Sequence, residues 1–151
     1  MKIIVESAKI DQLERLSEIE DKCFGKEAYG EQHLSYLFDS PDTLTLVASV
    51  NQEPAGFIVA RVDVSRNIQF GHVITLDVLE SWRRKGIASA LLHRVEEQFE
   101  ARGLKEVRLE VREDNTAAIS LYIRNDYKII GKLEHYYEDA HGLYLQKSLR
   151  I

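Results

Sequence analysis

The stretch that most limits how this chain can fold is a succession of three signals. A β-rich run from Gly71 to Leu79 leads into a basic turn, Arg83-Arg84-Lys85-Gly86-Ile87-Ala88. A helical run follows in which Ile87, Leu91, Val95 and Phe99 recur every four residues. A strand delivered into a helix through a glycine turn is a building unit of α/β proteins. The same turn points to chemistry. The N–H groups of a helix's first turn have no partners inside the helix, and the helix dipole adds partial positive charge there. Gly86 and Ala88 keep Cβ bulk away from an approaching phosphate, and the three basic side chains add attraction at longer range. A pyrophosphate-bearing, nucleotide-type ligand fits such a turn. A solvated basic turn with no ligand is the plain alternative.

The pattern around this unit extends the fold. Ile3 to Ala8 reads as a first strand, and Asp11 is placed to cap a helix carrying Leu13, Leu16, Ile19 and Cys23 at three- and four-residue steps. Phe24 to Gly30 breaks that periodicity as a loop, and a short helix runs from Glu31 to Phe38, ending before Ser40-Pro41. Leu44 to Val50 and Ala55 to Val64 are β-rich, joined by a hairpin turn at Asn51-Gln52-Glu53-Pro54. Gly103 stands where a helix end favours positive φ. Glu106 to Val111 alternates, which predicts a half-buried strand with Val107, Leu109 and Val111 on one face and Arg108 and Glu110 on the other. Asn115 caps a helix that runs through Asn125, and Tyr127 to Tyr137 with Leu143 to Leu149 forms a closing antiparallel pair. The order β-α-α-β-β-β-α-β-α-β-β predicts an α/β fold with a mixed, mostly antiparallel sheet flanked by helices. No repeat or linker interrupts it, so a single domain over residues 1–151 is expected.

Composition removes several classes of function. The apolar runs are only a few residues long, so no segment is suited to span a bilayer, and Met1 to Glu6 turns polar too soon for a secretory signal. The one cysteine, Cys23, excludes an internal disulfide and fits a reducing, cytoplasmic setting. A net charge of −5 argues against a nucleic-acid partner. His33, His93, His135 and His141 lack the paired spacing of a metal site, so no metal is expected.

Two motifs carry a family resemblance. Arg83-Arg84-Lys85-Gly86-Ile87-Ala88 matches the Q/R-x-x-G-x-G/A signature of the GNAT acetyltransferase superfamily. Leu109-Glu110-Val111-Arg112, followed by Asn115, Ala118, Leu121 and Tyr122, is similar to the fifth strand and following helix of its protein N-terminal acetyltransferases. Gly71-His72-Val73-Ile74 and Tyr136-Tyr137-Glu138-Asp139-Ala140 resemble further segments of that group, which includes the ribosomal-protein alanine acetyltransferases and the archaeal enzymes. The sequence departs from the pattern in two places. Asp126-Tyr127 stands for the usual Gly-Phe, and Trp82 for the usual Tyr or Phe before the first arginine.

The resemblance implies a splay between the fourth and fifth strands and acetyl-CoA as acetyl donor. The implied cofactor-binding residues are Leu76, Asp77, Val78, Arg83, Arg84, Lys85, Gly86, Ile87, Ala88, Ser89, Asn115 and Tyr122. It implies Glu110 as a base or water-positioning group and Tyr122 as donor to the leaving thiolate, with His72 as a further candidate in proton transfer through water. Ordinary readings stand beside these: Glu110 paired with Arg108 or Arg112, Tyr122 as a core aromatic, His72 as a packed strand histidine. Phe24, Glu27, Tyr29, Tyr136 and Tyr137 are the implied substrate wall. An α-amino group, with a pKa of about 8 against about 10.4 for lysine, is the easier amine to deprotonate near neutral pH. The implied acceptor is therefore a protein or peptide N-terminus, attacked directly in a ternary complex. The ribosome or nascent chain is a further candidate partner, and the protein is a monomer or homodimer. Acetylation of lysine or a small amine such as a polyamine, or acyl-CoA binding without catalysis, remains open.

Overall fold

Two-residue turns set the first strands of the sheet. Asn51-Gln52 joins β2 (Thr43–Val50) to β3 (Glu53–Ser65), and Arg66-Asn67 joins β3 to β4 (Ile68–Val78). All four turn residues have φ between 52° and 69°, the left-handed values that a type I′ hairpin requires at both central positions. The first turn is thus shorter than expected. Glu53 and Pro54 already belong to β3, paired with Val50 and Ser49 beside an irregularity at Ala48/Ser49. β4 likewise starts at Ile68 and not at Gly71, because Arg66-Asn67 makes its turn without glycine or proline.

The computed structural model describes residues 1–149. The remaining elements are β1 (Ile3–Ser7), α1 (Leu13–Phe24), α2 (Glu31–Asp39), α3 (Ile87–Ala101), β5 (Glu106–Arg112), α4 (Thr116–Arg124), β6 (Lys128–Tyr137) and β7 (Ala140–Ser148), in the expected order. The hydrogen-bonded strand order is β1-β2-β3-β4-β5-β7-β6. β4 and β5 run parallel through Gly71↔Val107 and His72↔Arg108. This short ladder accords with the expected splay. Pairings of β1 with β2, β2 with β3, β5 with β7 and β6 with β7 are antiparallel. No helix among the described residues is long and apolar enough to cross a membrane. Contacts group the chain into two compact units, one of Met1–Arg61 with Ile74–Val95, the other of Val62–Val73 with residues from Glu96 onward.

In the first unit, the apolar stripes of α1 and α2 supply Leu16, Ile19, Leu34 and Leu37, which are buried with Val47, Phe57 and Val59. Asp11 does not cap α1. It lies in a 3-10 turn, Ile10–Gln12, whose start is held by the Gln12 side chain accepting the Lys9 N–H at 2.8 Å. On the same buried side of α1, one turn after Leu16, Glu20 is only 1% exposed and meets Thr75 and Asp77 of β4, themselves buried. Thr75 Oγ1 lies 3.0 Å from Glu20 Oε1 and 2.7 Å from Asp77 Oδ1. One hydroxyl carries one hydrogen, so it donates to a single carboxylate. The second contact needs a proton on a carboxyl group. Glu20 Oε2 accepts the Tyr29 N–H at 2.9 Å, which favours Glu20 as the charged member. Burial first, and then the adjacent Glu20 carboxyl, pushes the Asp77 acid well above the usual carboxylate range. Asp77 is the protonated member.

In the second unit, β5 buries Val107, Leu109 and Val111 and leaves Arg108 and Glu110 half-buried on its other face, as its alternation predicts. Tyr127 is buried and its hydroxyl donates to Glu96 Oε2 at 2.8 Å, while Lys147 Nζ donates to Glu96 Oε1 at 2.7 Å. Asp126, where the resemblance expects glycine, takes φ 72° at the end of α4. The short polar side chain tolerates this geometry. Gly71 has a steric reason: a Cβ there would lie 2.4 Å from the Phe99 ring.

Gly71→Ala therefore forces the Phe99 ring to move. Urea unfolding should show a loss of about 1–3 kcal/mol, the usual size of an overpacked core; an unchanged midpoint would refute the contact. Asp77 gives a prediction with a sign. Its folded pKa is raised, so the native state binds more protons than the unfolded chain above the usual carboxylate pKa, and stability falls as pH rises. Asp77→Asn carries the hydrogen permanently. Its unfolding free energy should decline less than that of the parent protein between pH 5 and about 8, and parallel curves would remove the shared proton.

Candidate functional site

β4 alternates, placing Val73, Thr75 and Asp77 on its buried side and His72 on the half-buried one. The β4–β5 register sets His72 opposite Arg108, so the next outward-facing residue of β5, Glu110, comes within reach of the imidazole. His72 Nε2 lies 2.8 Å and 3.1 Å from the two Glu110 carboxylate oxygens. His72 Nδ1 lies 2.6 Å from Asp63 Oδ2 on β3. The His72, Asp63 and Glu110 side chains are 18%, 29% and 18% exposed, sheltered enough for the charges to act strongly yet open to water. Burial by itself lowers an imidazole's pKa. Here the hydrogen bonds and charges of Glu110, and then Asp63, outweigh it and hold His72 above its ordinary value.

The ordinary reading of Glu110 as a partner of a neighbouring arginine does not hold. Arg108 turns to Glu106 at 2.9 Å, lies over the Phe70 ring, and reaches Tyr144 Oη at 3.4 Å. Arg112 binds Asp114 at 2.9–3.0 Å and Asp139 at 2.7 Å. Both guanidinium groups have other carboxylates, and Glu110 faces His72 directly, where the sequence had implied an intervening water. Asp63 escaped the sequence reading. Its signal is an acid inside an otherwise strand-like run, Ala55 to Val64, just before an unrecognised two-residue turn.

Elsewhere in the second unit, Tyr122 is buried and packs edge-on against Tyr127 at 5.7 Å. Asn115 acts as the expected cap, accepting the Ala118 N–H at 3.1 Å. Tyr136 and Tyr137 meet edge to face at 5.0 Å near the end of β6, and the Arg112 guanidinium lies 5.5 Å from the Tyr137 ring centre. Tyr136 is 53% exposed.

The first unit holds the basic turn. Arg84 and Gly86 have φ 62° and 86°, and a Cβ on Gly86 would touch no protein atom, so the glycine answers to backbone conformation and not to crowding within the chain. The α3 ladder opens with the Ala90 N–H on the Gly86 carbonyl, so residues 87–89 precede it. Arg84 and Lys85 are exposed. Arg83, also exposed, turns back on its own strand: its Nε donates to the Val78 carbonyl at 2.9 Å, and Cys23 Sγ reaches the same oxygen at 3.5 Å. That carbonyl therefore already has two donors, and Leu76 and Val78 remain half-buried on the same strand face. Phe24, Glu27 and Tyr29 lie along the α1–α2 connection, with a 3-10 turn at Gly25–Glu27, and Tyr29 packs edge-on against His33 at 4.7 Å. The structure thus brings His72 and Glu110 together. It likewise gathers Tyr136 with Tyr137, and the residues of the basic turn, as separate groups.

Residues 13–127 match the model of the Acetyltransferase (GNAT) family. The chain is 37% identical over 111 residues to an N-alpha-acetyltransferase of Sulfurisphaera tokodaii, covering 68% of this chain and 66% of that protein. It is 32% identical over 120 residues to N-alpha-acetyltransferase 20 of Dictyostelium discoideum, covering 78% and 69%. The match thus spans just under two thirds of the archaeal relative's length. The fold is shared with the crystal structure of Ard1 from Thermoplasma volcanium, at a TM-score of 0.89, 24% identity and full coverage of both chains. It is shared also with the ribosomal-protein-S18-alanine N-acetyltransferase from Escherichia coli, at a TM-score of 0.85, 21% identity and coverage of 99% of this chain and 96% of that one. With a family match across most of its length and the motifs in their expected elements, this chain belongs to the GNAT acetyltransferase family.

Proposed function

We propose that this protein is an acetyl-CoA-dependent N-acetyltransferase whose acceptor is the α-amino group of a protein or peptide N-terminus. The observation that carries the reading is the direct His72–Glu110 hydrogen bond at 2.8 Å. An amine attacks a thioester only through its lone pair, so acyl transfer needs a group that accepts the amine's proton. A carboxylate backed by an imidazole is such a group. The choice of an α-amino acceptor is supported by the names of the Sulfurisphaera tokodaii and Dictyostelium discoideum relatives. The lower pKa of an α-amino group adds to this.

The basic turn fits a pyrophosphate on three grounds: a positive-φ glycine with open space at its Cβ position, amides ahead of the α3 ladder, and exposed Arg84 and Lys85. Residues 84–89 would hold the phosphates, with Arg83 bracing the turn through the Val78 carbonyl. The strand backbone at Leu76, Asp77 and Val78 would orient the pantetheine arm, with the Val78 carbonyl already occupied, and Asn115 would serve by shaping the start of α4. Bound acetyl-CoA supplies the acetyl thioester. Glu110, with His72 behind it, takes the amine's proton during direct attack, and Tyr122 donates to the leaving sulfur. Phe24, Glu27, Tyr29, Tyr136 and Tyr137 select the acceptor. The family match runs through segments of both units, which supports one N-acetyltransferase domain. Nascent chains in the cytoplasm, free or on the ribosome, are the proposed setting, with the protein as monomer or homodimer.

Turnover of acetyl-CoA should be compared on peptides with free N-termini, N-blocked lysine peptides and polyamines. The free N-termini should be preferred, with Glu110→Gln and Tyr122→Phe each lowering kcat by about 100-fold or more, the usual contribution of positioned acid–base groups. Turnover confined to lysine peptides or polyamines would overturn the acceptor. Binding without turnover on all three would overturn the enzyme reading, and an unchanged chemical step in Tyr122→Phe would end that residue's role as donor.

A further inference from the structure

The imidazole of His72 has two nitrogens, and the function proposed above uses only one. The other is held by Asp63 Oδ2 at 2.6 Å, from the strand joined to β4 by the Arg66-Asn67 turn. A neutral imidazole donates through one nitrogen and accepts through the other; an imidazolium donates through both. With a carboxylate at each end, the ring is matched fully only when it carries both hydrogens. We propose that Asp63 is a positioning residue for acetyl transfer: it fixes the His72 ring with Nδ1–H toward itself and Nε2 toward Glu110, and stabilises the imidazolium formed when the acceptor's proton arrives through Glu110. This inference rests on the acetyltransferase reading.

The step balances. An N–H bond of the acceptor amine breaks with its electron pair kept on nitrogen, and the proton passes to the Glu110 carboxylate and on to His72 Nε2. The ring and its two carboxylates go from a charge of −2 to −1. Asp63 takes no proton; it keeps the one on Nδ1 pointed at itself, so that Nε2 is the nitrogen offering a lone pair to Glu110. The proton is later lost to water, to which Asp63 is the most open of the three side chains. β3 contributes Asp63 and, two residues before it, the half-buried Arg61, and each of the two has further partners. β5 contributes Glu110 and also Arg108, the register partner of His72, whose guanidinium is engaged by Glu106 and Tyr144. The imidazole therefore answers mainly to the two carboxylates, and burial opposes them without prevailing.

Two readouts on the full chain test the assignment. The first follows the His72 ring by NMR through a pH titration, in the parent protein, Asp63→Asn and Asp63→Glu. Removing one opposite charge should lower the His72 pKa by about one unit or more, and Asp63→Glu should restore most of it. The second is the pH profile of kcat/KM on a peptide with a free N-terminus. A proton acceptor works only when deprotonated, so activity rises through the His72 pKa, and the acid limb in Asp63→Asn should move to lower pH by the shift seen in the titration. The weaker acceptor should also lower the plateau of kcat about tenfold, with recovery in Asp63→Glu. Loss of stability alone would move neither limb nor titration. An unshifted His72 titration in Asp63→Asn overturns the proposal, as does a shifted titration with an unmoved acid limb in an enzyme that turns over. If the parent protein acetylates no amine although the titration shifts as described, it is the acetyltransferase reading that fails, and the catalytic role of Asp63 with it.

Discussion

Two carboxyl groups placed on one imidazole make a demand that only two shared hydrogens can meet. Each oxygen facing a ring nitrogen needs a hydrogen between them, so the ring must be doubly protonated, or one carboxyl must keep its own proton. Asp63, His72 and Glu110 sit under this constraint, and the surrounding structure is arranged to impose it. Arg108 and Arg112, the nearby cations that could have relieved Glu110, are turned to Glu106, Asp114 and Asp139. The parallel register at Gly71↔Val107 and His72↔Arg108 sets the spacing of ring and carboxylate, and Gly71 lets Phe99 close against β4 one residue away. The two carboxylates raise the proton affinity of this ring and burial lowers it, a balance that suits the proton-accepting role proposed for the group.

The same strand carries a second acid that solves its burial in the opposite way. Asp77 is 1% exposed and has Thr75 and Glu20 as its neighbours, with no cation at hydrogen-bond distance. Keeping its proton is cheaper than ionising, since burial and the adjacent Glu20 outweigh the Thr75 hydrogen bond and the favourable charge of Arg83. The neutral acid, the hydroxyl and the Glu20 carboxylate then form a chain that ends on the Tyr29 N–H. The connection after α1 is thereby fastened to a buried residue and does not depend on its own short, glycine-flanked sequence. Within that unit, the backbone that carries Phe24, Glu27 and Tyr29 inherits its placement from polar groups that never reach solvent.

What could be read from the chain follows from how local each signal is. The alternation of Val107, Leu109 and Val111 names the buried face of β5 by itself, and the four-residue spacing from Ile87 to Phe99 names a helix, because both patterns live within one element. The left-handed end at Gly103 was legible for the same reason. Asp63 was not. Its approach to His72 depends on a turn at Arg66-Asn67, and arginine at positive φ gives no warning in a sequence. Within the Glu20–Thr75–Asp77 chain, Glu20 and Thr75 lie 55 residues apart, and no periodicity reports a contact at that separation. Asp11 shows the converse error, a good capping residue displaced because Gln12 already holds the Lys9 N–H.

The group that takes a proton and the group that gives one differ in how exposed they need to be. A proton acceptor must return its proton to water on every turnover, and the half-open Asp63–His72–Glu110 group, the acceptor proposed above, has that access. A donor to a leaving thiolate gains from the reverse, since a hydroxyl sheltered from water holds its hydrogen bond more strongly. Tyr122, at 8% exposure and wedged against Tyr127, has that shelter. Tyr127 is the deeper of the two, yet its hydroxyl is committed to Glu96, and burial together with that carboxylate drives its ionisation far out of reach. Of the two tyrosines in contact, the one tied to a carboxylate is thus suited to structure. Tyr122 is the member of the pair to which the proposed mechanism gives the donor's role.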